Sequence, residues 1–116
     1  MKTIAKRKKK PSLTREVRAF AKQRGLTHYL PALIREIERI FDDATDISIE
    51  VHHDPEIADL SWLLFEVEVP WRTTAEAIQA ARTWHRAAAA VCPRPLLTEF
   101  TLLIRRRPTV ATATTI

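Results

Sequence analysis

At Asp46 the apolar residues of this chain leave helical spacing and begin to alternate, and that switch constrains its fold more than any other feature. Before it, Leu13, Val17, Phe20 and Ala21 mark one amphipathic helix. Leu30, Leu33, Ile34, Ile37, Ile40 and Phe41 mark a second. Ser12 is the expected N-cap of the first helix, and Gly25 supplies its left-handed stop, with Leu26 placed to pack back. Thr27 is the expected cap of the second, with Pro31 tolerated in its first turn. The short link at residues 25–28 predicts an αα-hairpin.

After the switch, Ile47, Ile49 and Val51 alternate with Ser48, Glu50 and His52, the pattern of a half-buried strand. Residues 53–60 read as a turn started by Asp54-Pro55. A second strand points Leu63, Phe65, Val67 and Val69 inward and Leu64, Glu66 and Glu68 outward, and Pro70 ends it. Thr73 with Glu76 is a capping box for a helix running to about Val91. Its stripe of Ala77, Ile78, Ala81, Trp84, Ala88 and Val91 should face the sheet. Pro93 and Pro95 break the chain, and a last strand alternates Thr98, Phe100, Leu102 and Ile104 against Glu99, Thr101, Leu103 and Arg105.

The helix between strands two and three is long enough for a right-handed crossover, so those strands should run parallel, while strands one and two form an antiparallel hairpin. The sequence therefore predicts an α+β fold: an N-terminal αα-hairpin followed by a β-β-α-β unit, whose three-stranded mixed sheet carries helices on one face. The predicted division is a basic flexible arm at 1–11, one domain at 12–107 and a frayed tail at 108–116.

Gly25 is the only glycine in 116 residues, whereas phosphate-cradling loops and dinucleotide fingerprints need several. Walker-type nucleotide hydrolysis and Rossmann cofactor use are excluded on that ground. No apolar run approaches the ~20 residues that span a bilayer, and MKTIAKRKKKP lacks the apolar core of a secretory signal. Cys92 is the only cysteine, which excludes an internal disulfide and fits a reducing compartment. Beside Pro93 it reads as a small buried apolar residue rather than a reactive thiol. The expected location is cytoplasmic, or nuclear in a eukaryotic source, because KRKKKP has the composition of an import signal.

The net charge of +5 hides a segregation. Residues 1–28 hold ten Lys or Arg against Glu16 alone, residues 29–103 hold six Arg against thirteen acids, and Arg105, Arg106 and Arg107 follow. The middle is acidic and the ends are basic. Lys6, Arg7, Lys8, Lys9 and Lys10, continued by Arg15, Arg18 and Lys22 on the first helix, make candidate nucleic-acid contacts. Such a track would neutralise phosphates and bind with a steep salt dependence. The same run also suits a solvated tail, or acidic surface on a protein, and it lacks the interleaved aromatics that stack single-stranded bases.

The stretch EVHHDPE at 50–56 has the composition of a metal or acid–base site without its geometry. Neighbours on a strand point to opposite faces, so His52 and His53 should diverge. His28 and His85 add no ligand spacing. With the loop centred near residue 57, Glu50 pairs with Leu64, Ser48 with Glu66 and His52 with Trp62. Glu99, Thr101 and Leu103 then fall on the same outer face. Glu50, Glu66, Glu68 and Glu99 would surround Trp62, Leu64 and Leu103, with Trp71 as an exposed anchor at the strand exit. Acids around an apolar centre make a candidate protein-binding face. A flat three-stranded sheet offers no cleft for a glycosidase-like carboxylate pair. No catalytic, cofactor or metal site is predicted.

The expected function is therefore that of a small non-enzymatic regulatory or interaction protein, holding a protein partner or a second copy of itself on the acidic face. Antitoxins also combine a folded binder with a basic arm, a likeness of architecture alone. The alternative expectation is nucleic-acid binding by the arm and first helix. Neither involves a membrane or a cofactor.

Overall fold

The computed structural model describes residues 11–107. The predicted arm, apart from Pro11, and the predicted tail lie outside the described residues. The elements are α1 (Arg15–Arg24), α2 (Leu30–Ile40), β1 (Asp46–His53), β2 (Ser61–Pro70), α3 (Thr74–Val91), a 3-10 segment (Arg94–Glu99) and β3 (Phe100–Arg107). The sheet order is β1-β2-β3, with β1 antiparallel and β3 parallel to β2. This is the α+β arrangement and mixed sheet expected from the change of period at Asp46. The hairpin register is also the expected one: Glu50 opposes Leu64, Ser48 opposes Glu66, and His52 opposes Trp62.

The helix ends show which local signals the packing used. The first N-cap is Thr14 rather than Ser12, and its side chain accepts a hydrogen bond from the Val17 N–H at 3.2 Å. Starting the helix there turns Val17, Phe20 and Ala21 into the core. Gly25 closes α1 at φ 76°, a left-handed conformation that costs a residue with a Cβ about 1–2 kcal/mol. Leu26 follows it into full burial. The second helix begins at Tyr29 without a side-chain cap, so the expected role of Thr27 is not taken up. The Leu26 carbonyl accepts from both the Tyr29 and Leu30 N–H groups, so a preceding turn of backbone does what a capping side chain would do. At α3 the capping box is present as read: Thr73 accepts from the Glu76 N–H, and Glu76 accepts from the Thr73 N–H.

The core lies between one face of the sheet and the helices. Ile47 and Ile49 from β1 and Leu63, Phe65, Val67 and Val69 from β2 meet Leu33 and Ile37 of α2 and Phe41, which follows it. Trp84 and Ala88 of α3 close it, with Trp84 about 5.7 Å from both Phe65 and Phe100 by ring centroid. Among the described residues no polar or charged residue is buried in it. Each of these larger side chains contributes on the order of 1.5–3 kcal/mol by leaving water, which is why the period of two decides the register.

Two expectations about this core are corrected. The helical stripe of α3 read from the sequence includes Ile78, but Ile78 is 48% exposed. At ~100° per residue it lies about 120° round the helix from Trp84, whereas Ala77 lies nearly above it. The last strand starts at Phe100, not Thr98. Pro93 and Pro95 lead into the 3-10 segment, whose first turn is closed by the Leu96 N–H donating to the Pro93 carbonyl at 3.0 Å. Proline fixes φ near the helical value and removes N–H donors, so the stretch coils before it can pair.

Candidate functional site

The side of the sheet opposite the helices carries every second residue of three strands. Successive strand residues alternate faces, so burying Ile47, Ile49, Leu63, Phe65 and Val67 leaves Ser48, Glu50, Leu64, Glu66 and Glu68 on the other side. Parallel pairing brings Thr101 beside Leu64, Leu103 beside Glu66, and Arg105 beside Glu68. Trp62 and Leu64 follow each other along β2, and Leu103 lies diagonally from Leu64, within reach of a long side chain. Trp62 and Leu64 are half-buried and Leu103 is 44% exposed, an apolar centre with water on it.

Charge around that centre is mixed rather than uniformly acidic. Arg105 Nε lies 2.7 Å from a Glu66 oxygen, and Arg107 Nε lies 3.5 Å from a Glu68 oxygen. Arg107 also donates to Thr45 Oγ1 at 3.2 Å, and Thr45 in turn contacts Glu68. The arginines that follow the acidic middle in sequence thus fold back across two of its carboxylates. Glu50 keeps a different neighbour, His52, whose Nε2 is 3.2 Å away. His52 also lies beside Trp62, with ring centroids 6.3 Å apart. Asp46 adds an exposed carboxylate at the edge of β1.

Two predicted members of the face are elsewhere. Glu99 ends the 3-10 segment, and its carboxylate accepts from Arg24 of α1 at 2.6 Å. It therefore belongs with the helical layer, because the alternation of β3 does not extend back through the coiled stretch. Trp71 is exposed as expected, but the Arg106 guanidinium stacks over its ring at 5.2 Å. Arg106 pairs with Val69 of the inner row and reaches Thr74 and the Arg72 carbonyl at the start of α3. Trp71 is thus drawn toward the helices. Glu50, Trp62, Leu64, Glu66, Glu68 and Leu103 remain together. Arg105 and Arg107 join them from β3, Arg105 beside Glu68 and Arg107 beside Pro70.

The histidine pair diverges. His52 turns to Glu50 and Trp62, whereas His53 Nδ1 is 3.0 Å from Ser61 Oγ and its Nε2 is 3.7 Å from Glu16 of α1. Among the described residues no group of three or more His, Cys, Asp or Glu side chains converges. No family model, no curated protein and no solved structure matches this chain. Among the described residues no helix is long and apolar enough to cross a membrane.

On the helical side, Arg15, Arg18 and Lys22 are exposed on α1, spaced so that they share one flank. Among the described residues no carboxylate pairs with them, since Glu16 faces His53 and Glu99 is taken by Arg24. The remaining predicted nucleic-acid contacts, Lys6, Arg7, Lys8, Lys9 and Lys10, lie outside the described residues.

Proposed function

We propose that this is a non-enzymatic interaction domain that holds a protein partner on the outer face of its sheet. One observation carries the reading: Trp62, Leu64 and Leu103 form an apolar centre on the side of the sheet away from the helices, ringed by ionised groups. Interfaces concentrate their affinity in such a centre, with aromatic anchors prominent, while the rim excludes water and sets orientation. Because Arg105 and Arg107 occupy Glu66 and Glu68, the rim acids with no arginine or lysine partner among the described residues are Glu50, which lies beside His52, and Asp46. A partner whose apolar contact is flanked by a cation on the β1 side fits that pattern.

The test is capture by the full chain and by variants, followed by titration of the purified partner. Leu103→Arg should weaken binding by about tenfold or more, equivalent to ~1.4 kcal/mol. Glu50→Lys should act mainly on the association rate and its salt dependence. Arg15→Glu with Arg18→Glu and Lys22→Glu should leave a partner held by the sheet face bound. Retention by the sheet variants and loss by the α1 variant would move the function to the helix.

That second outcome corresponds to nucleic-acid binding, favoured by one observation: three exposed bases on one flank of α1 without described carboxylates to neutralise them. Contacts of this kind position a backbone without reading sequence.

A further inference from the structure

Between α1 and α2 runs a groove that no part of the sheet-face reading uses. It consists of two concavities, of about 650 and 380 Å³, that meet at Leu13 and Pro31. The floor is apolar, made by Leu13, Ala21, Leu30 and Pro31 and continued by Ile34. One end is basic: Arg18 and Lys22 line it beside His28, and among the described residues no carboxylate does. Gly25 borders that end and faces open space. The other end passes Arg35 and Glu38, so the groove follows α2 for about two turns.

We propose that this groove takes the apolar stripe of an acidic amphipathic helix from a partner protein. Its length and its two-turn course match side chains repeating at helical spacing on a docked helix, a common mode of peptide recognition. Arg18 and Lys22, with no carboxylate among the described residues of that end, call for acidic residues at the corresponding end of the occupant.

The chain's own segments do not have that chemistry. Residues 1–10 carry six Lys or Arg and no acid, and residues 108–116 carry no charged side chain. A second copy is equally unsuited. The one acid of α1, Glu16, is outnumbered by bases, the glutamates of α2 alternate with Arg35 and Arg39, and α3 sets Glu76 against Arg82 and Arg86. A nucleic-acid backbone would satisfy the basic end but gain nothing from Leu13, Leu30 and Pro31. An acidic helix uses both.

The test is fluorescence anisotropy with labelled peptides of ~15 residues, long enough to form helix. One carries leucines at helical spacing and glutamates elsewhere; the second has the same residues scrambled; the third has lysine for glutamate. The full chain should bind the first at least about tenfold more tightly than either control. Arg18→Glu with Lys22→Glu should cost about tenfold and recover binding of the lysine peptide. Pro31→Glu, at an exposed floor position, should weaken the acidic peptide while leaving the thermal melt intact. Equal binding of the scrambled peptide would overturn the proposal, because charge alone would then suffice. So would insensitivity to the Arg18, Lys22 and Pro31 variants, or displacement of the peptide by a DNA duplex with equal dependence on Arg18 and Lys22.

Discussion

Arg24 and Glu99, 75 positions apart in the chain, meet at 2.6 Å and fasten the end of α1 to the residue before β3. At the other end of the helix, Glu16 lies 3.7 Å from His53, the last residue of β1. The end of β1 and the start of β3 lie at the same end of the sheet, as His53 opposes Ser61 and Phe100 opposes Leu63. Helix α1 is therefore tied across that end. Both partners of the Arg24 pair are about a quarter exposed, and Arg24 also lies over the Phe20 ring at 4.5 Å. A double-mutant cycle of Arg24→Ala and Glu99→Ala should give a coupling of about 0.5–1 kcal/mol, falling in high salt. Arg24→Ala should cost more than Glu99→Ala, because it also loses the contact with Phe20. Equal single-mutant losses in urea titrations would mean that the ring contact contributes nothing.

Among the described residues two are left-handed, Gly25 at φ 76° and Asp59 at φ 67°, and they should respond differently to substitution. There is open space around Gly25, so Gly25→Ala meets no clash and should cost only the backbone term, about 1–2 kcal/mol. Asp59 already bears a Cβ in this region, and Asp59→Gly should be neutral or stabilising by up to about 1 kcal/mol. The Asp54 carboxylate holds the same turn by accepting from the Glu56 and Ile57 N–H groups at 2.8 and 2.9 Å. Thermal melts of the three variants, Asp54→Ala included, should place Asp59→Gly at or above wild type and the other two below it.

These residues also show where the sequence was legible. Gly25, the Thr73–Glu76 box and the alternation of β1 and β2 act through short-range geometry, and the structure uses each as read. Even the cross-strand partners of Glu50 and His52 followed from the turn alone. What failed involved competition or distance. Ser12 and Thr14 are both good caps, and the choice fell to the register that buries Val17. Glu99 alternates correctly with Phe100, but Arg24 and the preceding prolines claim it. The neutralisation of Glu66 by Arg105 depends on pairing between strands separated by a whole helix. The groove beside α1 depends on how two helices splay, which periodicity does not report.

Trp84 is fully buried, yet its indole Nε1 has no hydrogen-bond partner among the described residues. An unpaired buried donor costs about 1–3 kcal/mol. Trp84→Phe removes that donor together with part of the ring, so the cavity it leaves is offset by the relief. The expected loss is below ~1.5 kcal/mol, whereas Trp84→Ala should lose about 3–5 kcal/mol. Urea denaturation of the two variants distinguishes the terms. A Trp84→Phe loss close to that of alanine would mean that the N–H is satisfied in solution.

Cys92 caps the end of α3 inside the core, and burial raises its thiol above the ordinary value of 9.0. The neutral thiol is thus favoured in the folded state. The unfolded chain releases the proton first as pH rises, so in this region it binds fewer protons than the native state. This contribution to stability is complete below pH 9.0 and declines as pH rises toward the folded value. Cys92→Ala should remove that part of the alkaline slope, leaving a melting curve less sensitive to pH above 9.0 than that of the unsubstituted chain. Thiol-directed reagents should report the same burial, modifying the native protein slowly and the urea-unfolded chain rapidly at one pH. Equal modification rates in the two states would mean that the end of α3 opens readily, and the difference in alkaline slope should then vanish as well.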